Sequence, residues 1–237
     1  IFAYPPRFVF KPVLDNFVTL WQTSPGFFEG LRNSLIVTLG AALLTLLVSF
    51  PAAYVFSRYS SRWLGVAGVY LLAVRMMPPI VITIPLFPVL NQMGLVDTHI
   101  LLIVLYATFF VSLSTWLIKA FIDEIPIEIE ESASLEGCNL WQLMRYIVLP
   151  LTRQGIAACA IFVAVYAWNE FLFAFLFTST QARTAPIAIS EMMGSVTGVA
   201  WGPLLAAATI QLIPILVLVW LAQKHLIRGM TIGSVKG

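Results

Sequence analysis

Charge is what this sequence has least of. Only 10% of its 237 residues are Asp, Glu, Lys or Arg, against roughly 25% in a soluble domain. A chain this poor in charge cannot cover itself with a water-facing surface. Its formal net charge of +2 is too small to build a nucleic-acid-binding face, and no nucleic-acid partner is expected. Cysteine is equally scarce. Cys138 and Cys159 lie on either side of Pro150, with no metal or redox spacing, and read as small apolar packing residues. The two histidines, His99 and His225, form no H-E-x-x-H pattern, and no metal site is expected. The sequence has no G-x-x-x-x-G-K-[ST] loop, so it lacks that cradle for nucleotide phosphates. Nor does it show the alternation of apolar and polar residues that a β-barrel requires.

What remains is apolar. Hydrophobic residues make up 60% of the chain and the mean hydropathy is +0.94. This is an integral membrane protein. A spanning helix needs about twenty mostly apolar residues, and five stretches supply them. They run from Leu35 to Phe56, Leu64 to Val89, Ile100 to Ile118, Ile156 to Phe177, and Pro203 to Leu221. Pro51 is expected to kink the first, and Pro78, Pro79 and Pro85 to break the second. Helices satisfy their own backbone hydrogen bonds in lipid, so the predicted fold is an all-α polytopic transmembrane bundle. Residues 1–32, with Pro5, Pro6 and Pro12, read as an external extended segment and a short amphipathic helix along one membrane surface.

The longest polar interval, Asp123 to Pro150, holds six of the eleven acidic residues. Pro126 suits a first helical turn, and acidic residues there complement the helix dipole. Glu124, Glu128 and Glu131 share one face; Ile125, Ile129 and Ala133 share a neighbouring one. Gly137 reads as a helix terminator or a point of close backbone approach. Asn139 with Gln142 forms a capping-box pattern for a second helix, which Pro150 ends or kinks. A structured acidic loop between membrane helices suggests a docking surface for another protein.

Orientation follows the basic residues near helix ends. Arg58, Arg62, Lys119, Arg145, Arg153, Lys224, Arg228 and Lys236 fall on the side of this loop; Arg7, Lys11, Arg32 and Arg183 fall on the other. The bias places loop 120–155 and the tail 225–237 in the cytoplasm. Five spans put Ile1 on the opposite side, from which a missing first helix is expected.

The loop residues Glu131-Ser-Ala133-Ser-Leu135-Glu-Gly137, then nine residues, then Ile147-Val-Leu149-Pro150, resemble the EAA cytoplasmic loop of bacterial ABC-importer permeases. Ser132 stands at the second position, where the pattern has its first alanine. Asn33-Ser34, Pro51-Ala-Ala-Tyr54, Gly94-Leu-Val-Asp97-Thr98, Trp168-Asn-Glu170 and the tail from Arg228 are similar to the carbohydrate-uptake, maltose-type branch, and to its second permease. The resemblance implies a type I permease fold with the family's first span absent, residues 33–224 being the permease domain. It implies an inner-membrane subunit of an ATP-driven importer for a sugar, oligosaccharide or polyol. Its partners would be a sibling permease, two ATP-binding subunits that carry ATP and Mg, and an external solute-binding protein. The chain itself would bind no cofactor and catalyse no reaction.

By the same resemblance Glu130, Glu131, Ala133, Leu135, Gly137, Leu149 and Pro150 would couple to the ATPase, with Glu131 pairing a basic residue there. The tail would reach between the ATPase subunits. Polar residues at membrane depth mark a candidate pathway or helix glue: Arg75, Thr83, Ser112, Thr115, Trp168, Asn169, Glu170 and Gln211. Arg75 and Glu170 are expected to pair. An ion-coupled secondary transporter, using that pair, is the alternative; an intramembrane enzyme is a weaker one.

Overall fold

The computed structural model describes residues 13–194 and 198–233, with side chains through Trp220. Every regular element among them is helical: α1 (Asp15–Thr23), α2 (Pro25–Arg58), α3 (Arg62–Met76), α4 (Pro79–Gln92), α5 (His99–Asp123), α6 (Ile127–Leu135), α7 (Leu140–Leu143), a π turn (Met144–Val148), α8 (Leu149–Leu151), α9 (Arg153–Trp168), α10 (Leu172–Phe177), α11 (Ala185–Met193) and α12 (Trp201–Gly233). Expectations for residues 1–12 and for the tail side chains lie outside the described residues.

Among the described residues three helices are long and apolar enough to cross a membrane: Pro25–Arg58, His99–Asp123 and Trp201–Trp220. Two bent pairs bring the number to five if each counts as one span. α3 and α4 meet at 92°. The break falls at Pro78 and Pro79, where Pro79 has no N–H to continue the ladder and opens the next helix instead. Pro85 does not break the second span; it lies with Pro88 inside a continuous α4. The other pair, Leu140–Leu151 and Arg153–Trp168, bends by 77°. The bend sits at Thr152, two residues past Pro150.

Two expected boundaries move. Pro25–Arg32 belongs to α2 rather than to an extended segment, because Pro25 starts the helix and Phe27 and Gly30 are buried, Phe27 in a cluster with Leu20, Ala185, Ala206 and Ala207. The span expected to run unbroken from Ile156 to Phe177 stops at Trp168. There the amides of Asn169 and Glu170 bond back three residues, to Tyr166 and Ala167. The Asn169 side chain also donates to the Val165 carbonyl at 2.7 Å.

The main core lies where α2, α5 and α9 pack, around Val37, Ala41, Leu102, Tyr106, Phe110, Ile118, Val163 and Ala167. Leu35, Leu39, Leu43 and Leu47 form an exposed stripe along α2. Their spacing of four puts them on one face, and so large an apolar surface is stable against hydrocarbon rather than water. Small residues set the crossings. A Cβ on Gly155 would overlap the Phe121 ring. Gly155→Ala is therefore expected to cost about 1–3 kcal/mol through overpacking, read as a lower unfolding temperature in detergent. Phe121→Leu in the same chain should recover part of the loss; an unchanged temperature in the single variant would contradict this packing.

Candidate functional site

The polar loop leaves the bundle at the end where α2 and α5 finish. Pro126 precedes α6, and Gly137 terminates it with φ +91°. The Cys138 amide bonds to the Ala133 carbonyl at 3.1 Å and the Gly137 amide to Ser134 at 3.0 Å. This is a Schellman termination, which uses glycine because its left-handed backbone carries no Cβ penalty. Of the two readings for Gly137, the terminator holds within the chain; nothing lies within 4 Å of a Cβ built there. Asn139 and Gln142 form the expected reciprocal capping box.

The loop has two faces. Glu131, Leu135, Gly137, Trp141, Tyr146 and Pro150 are exposed, Leu135 at 90%. A leucine that bare, on an ordered helix end, offers an apolar surface for another molecule. Ala133 and Glu130 turn inward, and Leu149 is half-buried. Glu130 is 5% exposed and accepts from Tyr54 Oη and Arg58 Nε. Glu130 is expected among the ATPase-coupling residues, with no indication of which way it turns. Its carboxylate is satisfied inside the chain.

A second site lies at the break between α9 and α10. A half-open pocket of about 330 Å³ is walled by Tyr106, Phe109, Phe110, Tyr166, Phe171 and Phe173, with Asn169 and Glu170 at its polar edge. Glu170 accepts hydrogen bonds from the Phe173 and Ala174 amides, at 2.9 and 3.3 Å. It thereby satisfies free N–H groups at the start of α10. Tyr106 is 1% exposed; its hydroxyl faces Glu170 without a well-formed hydrogen bond. The expected Arg75–Glu170 pair does not form. Arg75 lies 5.8 Å over the Phe109 ring, with Nη1 buried and unpartnered, while the Glu170 carboxylate is taken by the Phe173 and Ala174 amides.

The other pathway candidates are drawn into helix packing. Thr83, Ser112 and Thr115 donate to the carbonyls of Pro79, Leu71 and Val111. Trp168 is buried and donates to the Gln211 carbonyl at 3.1 Å, while the Gln211 side-chain oxygen is buried without a partner. Sequence reasoning missed the aromatic walls. Tyr106, Phe109 and Phe110 follow helical spacing, but nothing local indicated that they face Tyr166.

At the far end of the bundle Asp97, with φ 62°, closes a clasp. Its carboxylate accepts the backbone amides of Ser179, Thr180, Gln181 and Ala182 and the hydroxyls of Ser179 and Thr180. Asn33 donates to the Gln181 and Arg183 carbonyls, each at 2.9 Å, and bonds His99 Nε2 at 2.8 Å. Ser34 Oγ accepts from the Ala185 amide. Two separate motifs, Asn33-Ser34 and Gly94 to Thr98, thus meet on one loop. Burial pushes the Asp97 carboxyl up, but the Gln181, Ala182, Thr180 and Ser179 donors outweigh it and hold the group well below the usual carboxylate range. Its contribution to stability is complete above the ordinary carboxylate pKa of about 4. It is lost as pH falls through the lowered folded value. Asp97→Asn should cost about 1 kcal/mol at pH 7. The gap between the two proteins should narrow below pH 4, followed by thermal unfolding across pH; a gap that widens in acid would contradict the assignment.

Bent helices in an apolar bundle, a helix pair held out at one end and a polar-edged pocket between spans define a membrane transport subunit. The chain belongs to the family of binding-protein-dependent transport system inner membrane components, whose pattern matches residues 46–232. It is a membrane-spanning ABC-transporter permease, a transport component rather than an enzyme. It is 36% identical over 236 residues to the probable ABC transporter permease protein y4oR of Sinorhizobium fredii, covering 99% of this chain and 83% of that one. It is 31% identical over 244 residues to the trehalose/maltose transport system permease protein MalG of Thermococcus litoralis, covering 100% and 88%. A chain in the crystal structure of a bacterial alginate ABC transporter, in complex with an alginate pentasaccharide-bound periplasmic protein, superposes with a TM-score of 0.68. That match has 20% identity and covers 89% of this chain and 81% of the other. The shared architecture is the type I importer permease fold. The ion-coupled alternative has no support among these relatives.

Proposed function

We propose that this permease imports a sugar, oligosaccharide or polyol across the cell's inner membrane as half of a heterodimer with a sibling permease. The observation that carries the coupling is the exposed face of α6, with Leu135 bare beside the open turn at Gly137. One of the two ATP-binding subunits, which hold ATP and Mg, seats on that face; an external solute-binding protein delivers the substrate. The loop and tail are cytoplasmic, as the eight basic residues on that side favour. Glu131, Leu135, Gly137 and Pro150 make the docking face; Ala133, Leu149 and Glu130 hold it in shape. Residues 33–224 form the permease domain, extended by the first turns of α2, and 225–237 the tail.

The relatives support the substrate class. One is named a trehalose/maltose permease, another a trehalose permease, SugB of Mycobacterium tuberculosis, 34% identical over 222 residues. The pocket supports it too. Flat aromatic walls take the apolar faces of a sugar ring, while Asn169 and Glu170 suit hydroxyls. Arg75, Trp168 and Gln211 lie outside its lining; Ser112 ties α5 to α3, while Thr83 and Thr115 bond back within their own helices. The test is co-purification of the assembly, then ATPase stimulation by the binding protein with a panel of sugars, polyols and, as controls, amino acids. Stimulation by amino acids alone, or uptake driven by a sodium or proton gradient without ATP, would overturn the reading.

A further inference from the structure

The geometry points to Tyr54, Arg58 and Glu130 as the joint through which movement of α6 reaches the membrane helices. This inference rests on α6 being the surface that meets the ATPase. Only Glu130 and Ala133 of the nine residues of α6 are buried. A force applied to the outer face therefore passes to the bundle at these two residues, and of the two Glu130 makes the directional, polar tie, whereas Ala133 makes an apolar contact in the core. There the Arg58 Nη2 atom lies 2.7 Å from Glu130 Oε1, with side-chain exposures of 11% and 7%. Tyr54 Oη donates to the other carboxylate oxygen at 2.9 Å. Arg58 Nη2 also donates to the Ile122 and Ile125 carbonyls, at 3.0 and 2.9 Å, and Nη1 to Ser57 Oγ at 3.2 Å. One guanidinium thus ties the end of α2, the last turn of α5 at Ile122, the link at Ile125 and the middle of α6.

The other ion pairs among the described side chains, Lys119–Asp123 and Arg183–Glu191, are more exposed. Burying a charge pair is costly, and an apolar contact of the same volume would stabilise the fold as well. What the ion pair adds is a fixed direction. Arginine's planar fork holds a carboxylate and two carbonyls at once, which lysine cannot. Rotation of α6 would then turn α2 and α5 with it as one body. These are positioning residues; none touches solute or nucleotide.

The test uses the complete transporter, reconstituted with its ATPase subunits, sibling permease and binding protein, and measures ATP hydrolysed per solute imported. Glu130→Gln and Arg58→Lys are expected to assemble yet to raise that ratio at least tenfold. Tyr54→Phe removes one hydroxyl and should raise it about threefold. Lys119→Ala, which breaks an ion pair at the same end without touching α6, should leave it unchanged. Because Arg58 also donates to the Ile122 and Ile125 carbonyls, the swap Arg58→Glu with Glu130→Arg should fail to restore coupling. Uptake and hydrolysis falling in proportion in Tyr54→Phe and Glu130→Gln would overturn the joint, as would the same rise in Lys119→Ala. If Glu130→Gln does not assemble, Tyr54→Phe decides, since it leaves every charge in place. Leu135→Glu in the same preparation reports docking separately. ATPase subunits retained by that variant would remove the docking face, and the joint with it; their loss, with an unchanged ratio in Tyr54→Phe, would remove the joint alone.

Discussion

Gly137→Val abolishes uptake and releases the ATPase subunits, while the membrane bundle stays folded. Two effects combine. The backbone at Gly137 has φ +91°, a region in which an L-residue pays about 1–2 kcal/mol and a β-branched one more. The Schellman bonds from Cys138 and Gly137 then fail, and the end of α6 frays beside Leu135. The second effect is bulk on the docking face. Within this chain a Cβ at that position meets nothing, so any steric conflict belongs to the partner. Gly137→Asn separates the two, because asparagine tolerates positive φ yet adds a side chain. Co-purification and uptake measured side by side on both variants check the expectation. Normal uptake by Gly137→Val would remove this turn from coupling.

Glu170→Ala lowers uptake at least tenfold and destabilises the permease. The Phe173 and Ala174 amides lose their acceptor where the chain breaks between α9 and α10. Each unsatisfied buried amide costs about 1–3 kcal/mol, and some of this is recovered by local rearrangement. At about 2–4 °C per kcal/mol for a chain of this size, the loss is visible in a thermal melt. Glu170→Gln keeps an acceptor for the amides and removes the charge that faces Tyr106. A Gln variant with restored stability and a raised KM for solute assigns Glu170 to the substrate. Restored stability with unchanged KM makes it a helix cap alone.

Much of the loop was legible because its signals are local. The Asn139–Gln142 box spans three residues and the Gly137 turn closes bonds to Ala133 and Ser134. Pro79 broke the second span for the same local reason, whereas Pro85 and Pro88 were carried inside α4. The break after Trp168 was less legible. Trp-Asn-Glu-Phe lies within an apolar run, and the side-chain bonds of Asn169 and Glu170 that end one helix and start another depend on rotamers. The surroundings of Glu130 were the least legible. Its charge suggests solvent, and its burial depends on an arginine 72 residues earlier.

By itself the sequence determined the solvent and the local geometry. Its scarcity of charge requires hydrocarbon around the helices, and caps, turns and prolines act within about five residues, where covalent connection already brings the groups together. The tertiary structure decided which polar groups meet. Asp97 finds its donors 82 to 85 residues away, and Glu130 finds Arg58 and Tyr54. Arg75 and Glu170, equally plausible as partners from their depth, stay apart. The physical reason is rotation. A helix carries every side chain to a direction set by its angle about its own axis, and packing against other helices settles that angle.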